Sequence, residues 1–186
     1  MEGLKTVDCY GDRGREIASD IAMTLALISF AMLFLALMLC YAIFRFNATV
    51  WPPMGMERID PFYPVLSTTL MAASSVTFEV FSARLKKGKG NLGFLALTLL
   101  LGLGFLGSQA LLWKGLLASG LYVGSGIFPS LIYGLTWIHG GHLALALLFL
   151  ALLFIKRTGP WVKNVGLFWH FLGVVWFVLY LALFVF

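Results

Sequence analysis

The sequence predicts an all-α fold: a polytopic membrane bundle of five transmembrane helices. Three observations lead there. The 186 residues are 61% hydrophobic and only 11% charged, more apolar surface than a soluble domain of this length can bury. The apolar residues fall into five stretches, each close to the roughly 20 residues that cross a hydrocarbon core about 30 Å thick. Within the stretches apolar residues run on without the period-two alternation of membrane-barrel strands, so helices are expected.

Residues 1–20 mix both charge signs and contain no apolar core. They lack the pattern of a signal peptide and are expected to form a cytoplasmic N-terminal segment. Residues 21–186 are expected to form a single transmembrane domain, with helix one over about 21–44. The segment 45–64 carries Trp51, Pro52, Pro53, Pro61 and Pro64. Prolines fix φ and hold a loop on one course, and aromatics beside them suit a membrane interface. Helix two, about 64–84, is the shortest and most polar, with Ser67, Thr68, Thr69, Ser74, Ser75, Thr77 and Glu79. So many hydroxyls suggest a helix packed among protein. A tight basic turn, Lys86-Lys87-Gly88-Lys89-Gly90, leads to helix three, about 91–113. There Gly102, Gly104 and Gly107 are expected to let another backbone approach, and Gln109 to hydrogen-bond across helices. The Gly- and Ser-rich linker 115–129 is expected to be less ordered. Helix four spans about 129–155 and helix five about 164–186.

Ten of the 13 Lys and Arg residues lie in the N-terminal segment and in the linkers after helices two and four; Arg45, Arg58 and Lys114 lie at the other face. By the positive-inside rule the N-terminus is cytoplasmic and the C-terminus periplasmic. This asymmetry and anionic head groups account for the net charge of +5. No basic face with interleaved aromatics calls for nucleic acid. Cys9 and Cys40 fall at opposite ends of helix one and cannot pair with each other.

The candidate functional residues are the ionisable ones inside the spans. Glu79 is costly in hydrocarbon. Five residues before Arg84, it lies about 8 Å from the cytoplasmic edge. A salt bridge with Arg84 or a snorkelling position is its plainer explanation. His139 and His142 share a helix face, being three residues apart. His170 lies on helix five at about the depth of Glu79. Intramembrane histidines suggest a haem or metal site, a proton relay, or structural hydrogen bonding. Depth counts against bis-histidine ligation, because His142 and His170 differ by roughly 10 Å along the membrane normal. Glu79 and His170 are expected to lie close enough to share a hydrogen bond or a proton.

Four motifs in order carry a family resemblance. Trp51-Pro52-Pro53-Met54-Gly55 is similar to W-P-P-x-G, and Phe105 to Ala110 to F-L-G-x-Q-A. His139-Gly140-Gly141-His142 resembles H-G-L-H, and the segment from Trp169 through His170 to Trp176 resembles W-H-F-V-D-V-V-W. Together they resemble subunit III of the haem–copper respiratory oxidases in its short five-helix form. Three acids of the family pattern are missing: Tyr63-Pro64-Val65 stands at the start of helix two where the family usually has a buried Glu, Leu112 on helix three where a Glu often follows the Gln, and Gly173 on helix five where it usually has Asp, leaving Glu79 as a local substitute.

The resemblance implies an accessory, non-catalytic subunit of a cytochrome c or quinol oxidase in a bacterial inner membrane. Such a subunit packs directly on catalytic subunit I, in one complex with subunit II. It holds phospholipids, stabilises the complex and supports proton uptake or oxygen access. Haem and copper belong to the partner subunits, with none bound by this chain. Two alternatives stand beside it: a subunit-III-like protein associated with nitric oxide reductase, and a free-standing transporter, which would call for inverted repeats or several intramembrane charges.

Overall fold

A computed structural model describes residues 2–51 and 61–185, with side chains from residue 14 onward. Five α-helices follow one another: α1 (Glu2–Asn47), α2 (Phe62–Lys86), α3 (Leu92–Ala118), α4 (Ile127–Leu152) and α5 (Gly159–Tyr180), the last continued by a π-helical turn, Leu181–Val185. All five are long and apolar enough to cross a membrane, and no strand occurs among the described residues. Short linkers make sequential helices antiparallel. The helices α2, α3, α4 and α5 form a ring in which each packs on the next and α5 closes onto α2, while α1 lies against α5 and α4.

The helix α1 begins at Glu2, well before the apolar stretch begins. Hydropathy marks where hydrocarbon starts, whereas a helix continues until its backbone is interrupted, and no proline precedes residue 52. The helices α2 and α3 end in glycines of positive φ, Gly88 (71°) and Gly120 (77°). Both ends make the paired reverse bonds of a Schellman cap. Lys89 N–H bonds to Arg84 O and Gly88 N–H to Leu85 O, each at 3.0 Å. Leu121 N–H bonds to Leu116 O at 2.9 Å and Gly120 N–H to Leu117 O at 3.1 Å. A side chain at either glycine would meet strain, because L residues rarely take this conformation.

The linker after α3 is tied down, contrary to its composition. Leu121 is buried, and the Tyr133 hydroxyl on α4 reaches Leu121 O at 3.0 Å and Trp113 O at 3.2 Å. The π-turn after α5 has a comparable anchor. A π-helix shifts the backbone ladder by one residue, and here the Ala182 carbonyl accepts from the Tyr41 hydroxyl at 2.8 Å and Arg45 Nη1 at 3.4 Å.

Aromatic and leucine side chains fill the core: Phe105, Leu95, Leu143, Trp169, Leu172 and Trp176 are all buried. Two glycines make this packing possible. A Cβ at Gly102 would lie 2.6 Å from Leu147 Cδ2 and 2.7 Å from Trp169 Cη2, and one at Gly166 would lie 2.6 Å from Phe78 Cε1. Of Gly102, Gly104 and Gly107 on α3, only Gly102 serves close approach inside the chain: a Cβ at Gly104 would make an ordinary contact with Leu70, and one at Gly107 would meet nothing within 4 Å.

Candidate functional site

Glu79 and His170 face each other across α2 and α5. His170 Nε2 and Glu79 Oε2 are 3.6 Å apart, with side chains 39% and 67% exposed in the isolated chain. The separation is an ion-pair distance, slightly beyond a direct hydrogen bond. Antiparallel register brings them together, and the same register sets Trp176 Nε1 on Thr68 Oγ1 at 3.1 Å. Phe78 supports the imidazole, with ring centroids 5.9 Å apart. Arg84 does something else: its guanidinium stacks 4.6 Å over the Phe94 ring.

The second polar group ties α2 to α3. Gln109 Nε2 donates to Ser67 Oγ at 2.7 Å, and Ser67 Oγ lies 2.7 Å from Ser108 Oγ. Further along, Thr77 and Thr98 hydroxyls meet at 2.8 Å. Each of these hydroxyls also lies within hydrogen-bonding distance of a carbonyl of its own helix, as Ser67 does of Tyr63 O at 2.7 Å, so its one proton has a partner inside the protein either way. Ser67→Ala removes the acceptor of a buried amide. It is expected to destabilise the α2–α3 pair by about 1–3 kcal/mol, measured as a lowered unfolding midpoint in detergent with an unchanged helical spectrum.

The histidines of α4 part company despite sharing a face. His139 is buried in an aromatic cage, with centroids 5.4 Å from Trp176, 5.9 Å from Phe105 and 6.0 Å from Phe34. His142 is half-buried against α1, edge-on to Phe30 at 4.6 Å, and its Nδ1 is 2.7 Å from Ile138 O of its own helix. Spacing of three residues gave the shared face; only tertiary packing assigns one ring to the core and the other to α1. Trp169 is buried against Gly102, and Trp176 packs edge-on to Phe105 at 4.8 Å. No group of three His, Cys, Asp or Glu among the described residues could hold a metal ion.

At the far end, Trp51 joins α1 to α4, edge-on to Tyr41 at 5.8 Å and Phe128 at 5.0 Å. Pro52 and Pro53 lie outside the described residues. Sequence reasoning missed the cluster at the opposite end of the α2–α5 seam. Lys86, Arg157 and Lys163 surround a cleft whose inner wall holds Ser82, Glu79 and His170. Lys163 also bridges to α1 through Asp20 at 2.6 Å, and beside it Asn164 Nδ2 donates to Ser19 Oγ at 2.9 Å. These basic residues lie on separate elements, so only the overall excess of cations on that side signalled them.

Comparison with known proteins comes to the same family as the motifs. The family model described as cytochrome c oxidase subunit III matches residues 13–186. A cytochrome c oxidase subunit 3 from Synechocystis sp. is 24% identical over 188 residues, covering 95% of this chain and 79% of that protein. The Danio rerio subunit 3 is 31% identical over 145 residues, 72% of this chain and 54% of its own length. A probable subunit 3 from Rickettsia bellii is 31% identical over 150 residues, 74% of this chain and 53% of that protein. The chain thus spans about half the length of the last two relatives.

Proposed function

The chain belongs to the cytochrome c oxidase subunit III family, and from that premise we propose that it is a non-catalytic, stabilising subunit of a haem–copper terminal oxidase. It is a multi-pass membrane protein. In the proposed setting, a bacterial inner membrane, the end carrying the α2–α3 turn is cytoplasmic and the π-turn periplasmic. It packs directly on subunit I, which with subunit II carries the haem and copper. It holds phospholipid and supports proton uptake or oxygen access at subunit I.

One observation carries this reading: hydroxyl, amide and indole groups within the spans join neighbouring helices. Ser67, Ser108 and Gln109 join α2 to α3, Trp176 and Thr68 join α5 to α2, and His139 is walled in by aromatic rings. Such a chain is a stiff body for another subunit to lean on, since interhelical polar contacts are what fix packing where hydrocarbon surrounds the protein. Co-purification from native membrane tests the proposal. The expected result is a large haem-bearing subunit recovered with this chain in equal amount. Recovery of a lone homo-oligomer would overturn it.

Glu79→Gln probes the proton-uptake element. The variant keeps the shape and removes the charge beside His170. Assembly and haem spectra are expected to be unchanged and turnover only slightly lower, read as oxygen consumption and proton release by the whole complex. A large fall in proton pumping with assembly intact would make Glu79 a relay group.

A further inference from the structure

After residue 60 the chain carries a single carboxylate, Glu79, and α2 presents it outward, about 8 Å inside the cytoplasmic edge. His170 Nε2 meets one of its oxygens at 3.6 Å, while the side chain stays 67% exposed in the isolated chain. A carboxylate accepts several hydrogen bonds, and one turned toward acyl tails is costly. The residues in line with it are also unlike those on the outward face of α1. Along α2 the exposed positions at intervals of four and three are Val65, Thr69, Ala72, Val76, Glu79 and Ala83. On α1 the exposed positions at the same intervals are Leu25, Ile28, Met32, Leu35 and Leu39, large apolar side chains that lipid accommodates.

We infer that this face of α2, with the groove between α2 and α5, seats one transmembrane helix of a neighbouring oxidase subunit. That helix brings a hydrogen-bond donor to Glu79 and, about two turns nearer the cytoplasm, an acidic residue to Lys86 and Arg157. The inference rests on the reading of the chain as an oxidase subunit and deepens it by naming the docking face and the chemistry that recognises the partner. Three arguments support it. First, charge complementarity sets the occupant. Lys86 lies seven residues beyond Glu79, about 10 Å along α2, and Arg157 borders the same cleft. Asp20 engages Lys163, and Arg157 Nη2 donates to Phe154 O at 3.3 Å. The Lys86 ammonium and the other guanidinium donors remain for a partner carboxylate. An acid inside and cations at the rim match a helix with a donor inside and an acid at its rim. Acyl chains offer Glu79 no donor. Secondly, a repeat of three and four residues keeps one seam of a helix against another, and small side chains along it let two backbones approach in a bilayer. Thirdly, the seat has two walls. Cavities of about 510 and 350 Å³ run end to end between α2 and α5 and share His170.

The test uses the whole complex in native membrane, with a diazirine-bearing residue placed at Val76 on α2 or, for comparison, at Leu35 on α1. After illumination the linked peptides are identified by mass spectrometry. Val76 is expected to link to a transmembrane segment of another subunit, one that carries a hydrogen-bond donor at the level of Glu79 and an acid about two turns toward the cytoplasm. Leu35 should link to lipid. Linkage of Val76 to lipid alone, to an extramembrane segment or to a segment without that pattern would overturn the inference. So would linkage of both positions to the same segment. Substitutions supply the second measurement, read as the amount of the other subunits recovered with the chain. Glu79→Leu should lower recovery by about threefold, the scale of one hydrogen bond between helices in a bilayer. Glu79→Gln keeps an acceptor oxygen and should leave recovery unchanged. Val76→Trp, on an outward position that is 64% exposed, should remove most of it by blocking the seat, and Leu35→Trp should not. Circular dichroism and elution profile of each purified chain identify any variant that fails to fold, and the cross-links then decide. Full recovery in both Glu79→Leu and Val76→Trp would overturn the inference. A haem-bearing partner recovered with wild type but linked through another face would leave the oxidase assignment standing without this seat, whereas a chain recovered alone would overturn both.

Discussion

Gly102→Leu is expected to break the bundle more severely than any other single change on α3. A Cβ alone at this position would come within 2.6 Å of Leu147 Cδ2 and 2.7 Å of Trp169 Cη2, closer than real Cβ contacts. Leu147 can turn its flexible end away. The indole of Trp169 is rigid and buried, so the ring or the whole of α5 must shift. Overpacking of this kind costs about 1–3 kcal/mol and sometimes more, here at the junction of α3, α4 and α5. The expected result is loss of monodisperse protein in detergent, or a markedly lower unfolding midpoint. Gly107→Ala is the control. No atom lies within 4 Å of a Cβ there, and alanine favours a helix, so stability should be unchanged or slightly raised. Gly102→Ala combined with Trp169→Phe gives a sharper comparison. The smaller ring removes the Cη2 clash, so the pair should cost less than the sum of its single changes.

Trp169→Ala is expected to have the second large effect, in the opposite steric sense. The side chain is completely buried, and its removal leaves a void beside Gly102, where there is no side chain to fill it. Truncating a buried tryptophan costs about 3–5 kcal/mol in soluble cores. In a bilayer the transfer component shrinks, because lipid tails are as apolar as the core, but the lost dispersion contacts remain. The expected outcome is a destabilised chain whose helix content persists while its helices pack loosely, read as faster proteolysis and a lower midpoint. Trp169→Phe should retain most of the wild-type stability.

The sequence made the five spans plain because hydropathy is a local property that the bilayer imposes on each helix separately. It made the Glu79–His170 pairing plain for a related reason. Depth can be counted along a helix from its charged end, and two groups at one depth on helices of one bundle have few places to go. What depth cannot supply is rotation about the helix axis. For that reason Arg84 sits over Phe94 and not beside Glu79, and His139 and His142 separate into core and α1-facing positions. The glycines of α3 obey the same limit: only Gly102 is turned toward Trp169. The start of α1 was hidden because polarity ends a span without ending a helix. The linker 119–126 was hidden because its order comes from Tyr133, far along the chain.

The most direct test of the central claim, that this chain supports an oxidase without carrying its redox chemistry, is the absorbance spectrum of the purified complex before and after this subunit is stripped away. The account predicts an unchanged haem spectrum on the remaining subunits, no Soret band in the released chain, and a depleted complex that starts turning over and then inactivates sooner. Haem or copper leaving with this chain would contradict it.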